Sequence, residues 1–127
     1  MGLKPQSVHK TGGFRVQGRE REHAAVLVDE ARRLQDAGAD MVLLECIPAA
    51  LGKSITKELH VPVIGIGAGP DCDGQVLVTY DMLDITTGRK PRFVRNFMAG
   101  AANNLEALKA YVRAVKQKEY PAPEHCF

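Results

Sequence analysis

The sequence predicts an α/β fold with parallel strands that forms part of a larger (β/α) barrel. Three observations support this prediction: helix-like and strand-like apolar patterns alternate, the strand-like runs lack polar alternation, and the chain has 127 residues. Strands that are buried on both faces require helices around them. A complete (β/α) barrel takes about 250 residues. The chain is therefore expected to supply about half of a barrel, with roughly three strands and their helices.

The first helix is predicted over residues 20–37, after a glycine-punctuated loop over residues 1–19. Four apolar residues in it recur at spacings of three and four and form one stripe, namely Ala24, Leu27, Ala31 and Leu34. Gly38 follows the stripe directly and is typical of a helix C-terminus. This helix should pack its stripe against the sheet.

Two short apolar runs and the segment between them predict a strand–helix–strand unit. "MVLLEC" and "VPVIGIGAG" have strand length, and their apolar residues do not alternate with polar ones, so both faces should be buried. Between them, a helix over residues 49–59 carries Leu51, Ile55 and Leu59 on one face.

The remaining elements carry weaker patterns. "GQVLVTYDML" is interpreted as a third strand, with a helix as the alternative, and residues 86–92 as a loop. "FVRNFM" is expected to be helical. Asn103 or Asn104 can cap a last helix that ends near Gln117, and the tail "EYPAPEHCF" should be extended because of its two prolines. The last helix has four apolar residues on its expected core face: Leu105, Leu108, Val112 and Val115.

Composition and charge exclude several classes of protein. The net charge of +2 gives no general attraction to nucleic acid or to a membrane surface. No apolar run approaches the roughly 20 residues that cross a bilayer, and the first residues lack the apolar core of a signal peptide. Cys46, Cys72 and Cys126 are few and odd in number, which fits reduced thiols in the cytoplasm.

Glu45 is the candidate catalytic residue. It stands at the end of the predicted strand, where Pro48 prevents a regular ladder from continuing. In α/β folds, functional groups lie at the carboxyl ends of parallel strands. Partial desolvation between Leu44 and Cys46 would make this carboxylate a better base at neutral pH. The alternative is an ordinary strand-end residue that pairs with a nearby Arg or Lys.

Other motifs have both structural and functional interpretations. Gly65, Gly67 and Gly69 permit close backbone approach, but their spacing departs from a dinucleotide fingerprint. Tight packing is therefore favoured over phosphate binding. A cationic cluster has two interpretations, an anionic-ligand site or a solvated or intersubunit surface, and the surface is favoured; its members are Arg89, Lys90, Arg92 and Arg95.

The remaining polar candidates are interpreted as structural. Asp71 and Asp73 resemble a capped turn and lack the later Glu of a calcium loop. Cys46 has no base close in sequence, so a packed thiol is favoured over a nucleophile. The histidines do not have metal-ligand spacing and are expected to be structural or exposed; they are His9, His23, His60 and His125.

Taken in order, the segments "GLKPQS", "GGFRVQGR", "DAGADMVLLECIP", "VPVIGIGAG", "CDGQVLV", "RFVRNF" and "YPAPEH" resemble the ketopantoate hydroxymethyltransferase family. The resemblance implies a (β/α)₈ barrel of the phosphoenolpyruvate/pyruvate type. It also implies hydroxymethyl transfer from 5,10-methylenetetrahydrofolate to 3-methyl-2-oxobutanoate, which gives 2-dehydropantoate for pantothenate synthesis. Mg²⁺ as cofactor and a cytoplasmic homo-oligomer, often a decamer, belong to the same expectation.

Within that resemblance, the proton acceptor of the family corresponds to Glu45. A 2-oxo acid can chelate a metal ion that stabilises its enolate, while a carboxylate base removes the proton at the adjacent carbon. The metal ligands, the substrate-binding residues and a histidine of the family lie in the first half of the barrel and have no counterpart in residues 1–127. The chain is therefore expected to be a C-terminal half that is nearly inactive alone.

Three functions stay open from the sequence. The first interpretation is the C-terminal half of the transferase, whether as a fragment, a truncated product or half of a split enzyme. The second is a non-catalytic half-barrel module that needs a partner chain, because unpaired strand edges and apolar faces promote association. A phosphate- or nucleotide-binding protein is the third interpretation, and it depends on the glycines alone.

Overall fold

The computed structural model describes residues 1–7, 9 and 13–127, which form a parallel sheet flanked by helices. The strands are β1 (Val42–Glu45), β2 (Val63–Ile66) and β3 (Gly74–Gln75), in the order β1-β2-β3. The helices are α1 (Arg21–Asp36), α2 (Ala49–Glu58), α3 (Thr79–Met82) and α4 (Asn104–Lys116). Short 3₁₀ turns occupy Pro5–Ser7 and Pro123–His125. The α/β class and the parallel strands are as predicted.

Helices α1, α2 and α4 lie where the sequence predicts them. At the end of α1, Gly38 adopts a φ of 91°, and the Ala39 amide donates to the Leu34 carbonyl at 3.0 Å. This is the glycine-dependent helix end that the sequence indicates. At the start of α4, the Asn103 side chain accepts from the Glu106 amide at 3.1 Å. Asn103 is thus the cap, and Asn104 is the first helical residue.

The sheet extends beyond its three strands on the β1 side. Glu45 is paired with Ile66 of β2, and on its other edge its amide donates to the Met1 carbonyl at 2.9 Å. The Leu3 amide donates back to the Glu45 carbonyl at 2.9 Å, which makes Gly2 and Glu45 a parallel bridge. The end of β1 is therefore held by hydrogen bonds on both edges.

One face of the sheet is packed and the other is partly open. Val42, Leu44 and Val63 are buried in a cluster with residues of α1 and α2. On the opposite face, Met41 is 57% exposed and Leu43 is 44% exposed. The expectation that "MVLLEC" is buried on both faces is wrong for Met41 and Leu43, although the same face is covered near its carboxyl end, where Ile66, the partner of Glu45, is buried.

The predicted third strand is much shorter than expected. Only Gly74–Gln75 is strand, and α3 begins at Thr79. The Val76 amide makes one more bond, to the Gly65 carbonyl. Beyond that point β2 offers no further partner, because it ends at Ile66 and Gly67 turns away with a φ of 62°. The alternative prediction of a helix is confirmed for the end of this segment, where α3 forms.

The predicted helix at "FVRNFM" is not formed. The Asn96 side chain accepts from the Met98 and Ala99 amides, and this local bonding competes with helix formation. Phe93 and Phe97 are both buried in the second core cluster, to which Ile66, Met82 and Tyr120 also belong. Tertiary burial of the two rings thus overrides the apolar pattern.

Helix α4 packs with a different face from the one expected. Ala107 and Ala114 are buried, and the Tyr111 ring packs edge-on against Phe97 at a centroid distance of 5.4 Å. Of the expected core face, Val115 packs against the cluster, but three residues are exposed: Leu105, Leu108 and Val112. The face with the small residues is buried because these residues allow the helix to approach the aromatic rings closely.

The two ends of the chain complete the fold. The tail contains a 3₁₀ turn rather than being extended throughout, and the Tyr120 hydroxyl donates to the Phe93 carbonyl. The loop predicted over residues 1–19 holds one 3₁₀ turn, and its residues 8 and 10–12 lie outside the described residues. Among the described residues, none of the helices combines the length and apolarity that crossing a membrane requires.

Candidate functional site

The end of β1 places the Glu45 side chain at the carboxyl edge of the sheet. Directly after it, Cys46 adopts a φ of 50°, a conformation that non-glycine residues seldom take. Hydrogen bonds hold this turn: the Cys46 amide donates to Ile66, and its carbonyl accepts from the Gln17 amide, each at 2.9 Å. Strained backbone of this kind persists only where the surroundings fix it, and it is frequent at functional sites.

Glu45 lines a cleft of about 680 Å³ at this edge. The cleft is formed by the loop before α1, the ends of β1 and β2, the segment over residues 89–93 and the last residue. Its apolar wall includes Phe14, Phe93 and Phe127, and Asp81 of α3 is its second carboxylate. The volume is in the range of small-molecule sites.

The electrostatic environment favours a base at Glu45. Burial raises the pKa of its carboxyl, and the Met1 amino group opposes the shift. None of the ion pairs in the described part of the chain involves Glu45. Within the described residues, Glu45 is therefore not the strand-end residue paired with Arg or Lys that the alternative expects.

Cys46 does not have the properties of a nucleophile. Burial and, second, the Glu45 charge raise the pKa of its thiol to about 12. A thiol with such a pKa stays protonated at neutral pH and is inert. Its side chain belongs to the second core cluster, as the packed-thiol interpretation expects. Cys46, Cys72 and Cys126 are all free.

The glycines after β2 face protein groups. A Cβ on Gly67 would lie 2.7 Å from the Phe93 ring, and one on Gly69 would lie 2.4 Å from the Ala49 Cβ. On Gly65 it would lie 2.9 Å from the Cys72 sulfur. These contacts favour the packing interpretation over a phosphate cradle.

The cationic cluster is divided between two environments. Arg89, Lys90 and Arg92 line the cleft together with Glu45. Arg95 does not line it, and its guanidinium carbon lies 4.9 Å from the centroid of the Phe97 ring.

The aspartates after β2 have structural partners. Asp73 accepts from the Val63 amide at 2.8 Å and so anchors the start of β2. Asp71 forms an ion pair with Lys53 of α2 at 3.3 Å. The described residues contain no group of three or more His, Cys, Asp or Glu side chains that could hold a metal ion.

The histidines lie outside the cleft. The Nδ1 atom of His23 accepts from the Gly18 amide at 3.4 Å, and the Nδ1 atom of His125 accepts from the Ala122 amide at 3.1 Å. His9 and His60 are exposed. This matches their interpretation as structural or exposed residues.

The residues of the cleft wall that sequence reasoning missed include Phe14, Asp81, Phe93 and Phe127. Phe127 reaches the site because its carbonyl accepts from the Ala49 amide at 3.0 Å, a contact between residues 78 positions apart. The preference of aromatic residues for concave sites was the only available signal.

Comparisons with known proteins show which family the chain is similar to. The ketopantoate hydroxymethyltransferase family model matches residues 1–123. Proteins named 3-methyl-2-oxobutanoate hydroxymethyltransferase are 54% identical in Chromohalobacter salexigens and 57% identical in Janthinobacterium sp., each over all of this chain. One from Nitrosococcus oceani is 57% identical over 98% of it. The matches cover 48%, 47% and 47% of these relatives, so the chain spans about half their length.

Proposed function

The chain belongs to the ketopantoate hydroxymethyltransferase family, and on that basis we propose that it forms the second half of a (β/α)₈ barrel enzyme. The proposed reaction moves a hydroxymethyl group from 5,10-methylenetetrahydrofolate to 3-methyl-2-oxobutanoate and gives 2-dehydropantoate for pantothenate synthesis. The observation that carries the proposal is Glu45, a partly buried carboxylate without an ion pair in the described residues, at a strand end that lines a ligand-sized cleft.

In this proposal, Glu45 removes the proton from C3 of the 2-oxo acid. The electron pair of the broken C–H bond enters the enolate. Water cleaves the two C–N bonds of the methylene bridge, which leaves tetrahydrofolate and a one-carbon unit at the oxidation level of formaldehyde. C3 then bonds to that carbon, and the carbonyl oxygen of the one-carbon unit takes up a proton and becomes the new hydroxyl group. A carboxyl whose pKa is raised toward neutrality is a more effective base than a free surface glutamate. The rigid strand end and its hydrogen bonds on both edges fix the direction of approach.

The magnesium ion implied by the resemblance does not fit the described residues, because they contain no suitable ligand cluster. We therefore assign the metal site to the first half of the barrel and derive no step of this chain through it. The same half would cover the sheet face on which Met41 and Leu43 are exposed. The proposed functional unit is a complete barrel that contains both halves, in a cytoplasmic homo-oligomer.

The test is exchange of deuterium into C3 of 3-methyl-2-oxobutanoate in a magnesium-containing buffer. The chain is assayed alone and together with the first half of the Chromohalobacter salexigens relative, expressed as a separate polypeptide. We expect exchange only with both halves, and Glu45→Gln should reduce it by at least about 100-fold. The control is Glu30→Gln, an exposed glutamate on α1. Unchanged exchange in Glu45→Gln would show that the base is another residue.

A second candidate function is a non-catalytic half-barrel that associates with another chain. The observation that favours it is the open sheet face, defined by Met41, Leu43 and Val76, all of which are exposed apolar residues at or next to the strands. Such a module would bind the first half without supporting exchange. Complex formation in sedimentation without exchange in the assay above would favour this function.

A further inference from the structure

The cleft brings three cations of one segment next to Glu45. Arg89, Lys90 and Arg92 lie within four residues of one another in a stretch without helix or strand, and all three line the wall. Arg95 follows in the same basic stretch but does not line it. The fold therefore separates the basic residues that line the cleft from the one that does not.

Two of these cations keep their charge available. Lys90 forms an ion pair with Asp84. In the described part of the chain, neither Arg89 nor Arg92 makes an ion pair. Arg92 is positioned by Phe127 instead: its guanidinium lies 5.3 Å from the ring centroid, and its Nη1 donates to the Cys126 carbonyl at 3.3 Å. A guanidinium held in this way still has donors for a carboxylate.

We propose that Arg89 and Arg92 form a carboxylate-binding subsite for the glutamyl tail of the folate co-substrate. The inference rests on the proposed function and extends it to the recognition of the second substrate. The 2-oxo acid also carries a carboxylate, but that group lies two bonds from the carbon that Glu45 deprotonates. Arg89 and Arg92 are exposed at the rim of the cleft. A rim position suits the flexible, multiply charged end of a ligand whose reacting part lies deeper.

The apolar wall supports the same assignment. Phe14, Phe93 and Phe127 contribute aromatic rings to the cleft, and aromatic side chains can pack against the flat ring system of a folate. A folate needs a site with an apolar part and a cationic end. The cleft has both, and Glu45 lies in the same cavity.

The test is calorimetric titration of the 127-residue chain with tetrahydrofolate that carries one or four glutamyl residues, and with 3-methyl-2-oxobutanoate. The variant is Arg89→Gln combined with Arg92→Gln, and the matched control is Arg95→Gln. We expect the double variant to raise the Kd of the four-glutamyl folate by roughly tenfold and that of the one-glutamyl folate by roughly threefold. The Kd of the oxo acid should be unchanged, and Arg95→Gln should bind as the unaltered chain does.

Several outcomes would overturn the inference. These are an equal loss for both folates, a loss for the oxo acid, an equal loss in Arg95→Gln, and no polyglutamate binding by the unaltered chain. If the double variant melts at a lower temperature, Arg89→Gln alone decides, because Arg92 also holds the tail. The titration measures binding and involves no turnover. The carboxylate-binding inference and the Glu45 assignment can therefore fail independently, and the two failures are distinguishable.

Discussion

Glu45 occupies an environment that disfavours its charged form. Burial raises the pKa of its carboxyl above the ordinary value of 4.5, although the Met1 amino group opposes the shift. A carboxyl with a higher pKa in the folded chain binds protons more tightly there than in the unfolded chain. Its ionisation therefore lowers the free energy of unfolding as pH rises through the interval above 4.5.

Replacement of this carboxyl should stabilise the chain in a pH-dependent way. We expect Glu45→Gln to raise the unfolding midpoint at neutral pH. The gain should disappear below pH 4.5, where the carboxyl of the unaltered Glu45 is protonated in both the folded and the unfolded chain. Urea unfolding followed by circular dichroism at several pH values measures this. Glu30→Gln is the control and should give no comparable gain. A stabilisation that is independent of pH would contradict the assignment.

At the scale of single residues, the sequence located Glu45 because strand ends have a predictable role in α/β folds. The sequence could not predict which members of the cationic cluster line the cleft. Arg92 and Arg95 are three positions apart in a segment of irregular structure, and which one lines the cleft depends on the positions of Phe127 and Phe97. Contacts between distant parts of the chain of this kind leave no local pattern.

At the scale of elements, the N-terminus of α4 offers a direct test of local structure. The Asn103 side chain accepts from the Glu106 amide at 3.1 Å, whereas Asn104 is already helical. We expect Asn103→Ala to lower the free energy of unfolding by about 1 kcal/mol, since an unmatched amide is left at the helix end. Urea unfolding of the variant measures the loss.

Asn104→Ala is the matched control, because it changes the same residue type one position later. It should leave stability unchanged or raise it slightly, since alanine is the better helix former. Equal losses in both variants would show that the cap is not specific to Asn103.

The elements that the sequence predicted are those with their own start and stop signals. Helix α1 has a regular stripe and ends at Gly38, and α4 begins at a capping asparagine. The third strand was overestimated because its length depends on how far β2 continues, and β2 ends at Ile66. The buried face of α4 was misassigned because Ala107 and Ala114 pack beneath aromatic rings from other segments. A stripe of larger residues gives the stronger signal and is exposed.

At the scale of the whole molecule, the two faces of the sheet differ in what covers them. Helices α1 and α2 bury one face, while the open sheet face keeps Met41, Leu43 and Val76 exposed. The relatives are about twice as long as this chain. Exposed apolar residues on one sheet face of a chain that spans half the length of its relatives indicate where a further layer or a second half would pack.

This asymmetry predicts that the chain alone self-associates through its open sheet face. Leu43→Lys places a charge on that face and should shift sedimentation velocity profiles toward the monomer, because the charge would lose solvent in the contact. Val26→Lys is the control, since Val26 on α1 is similarly exposed on the helical side, at 52% against 44% for Leu43. Addition of the first half of a relative should replace self-association by a one-to-one complex, which Leu43→Lys weakens. A monomeric unaltered chain with a cooperative melt would contradict the half-barrel assignment, because an incomplete barrel should not be stable while it exposes this surface.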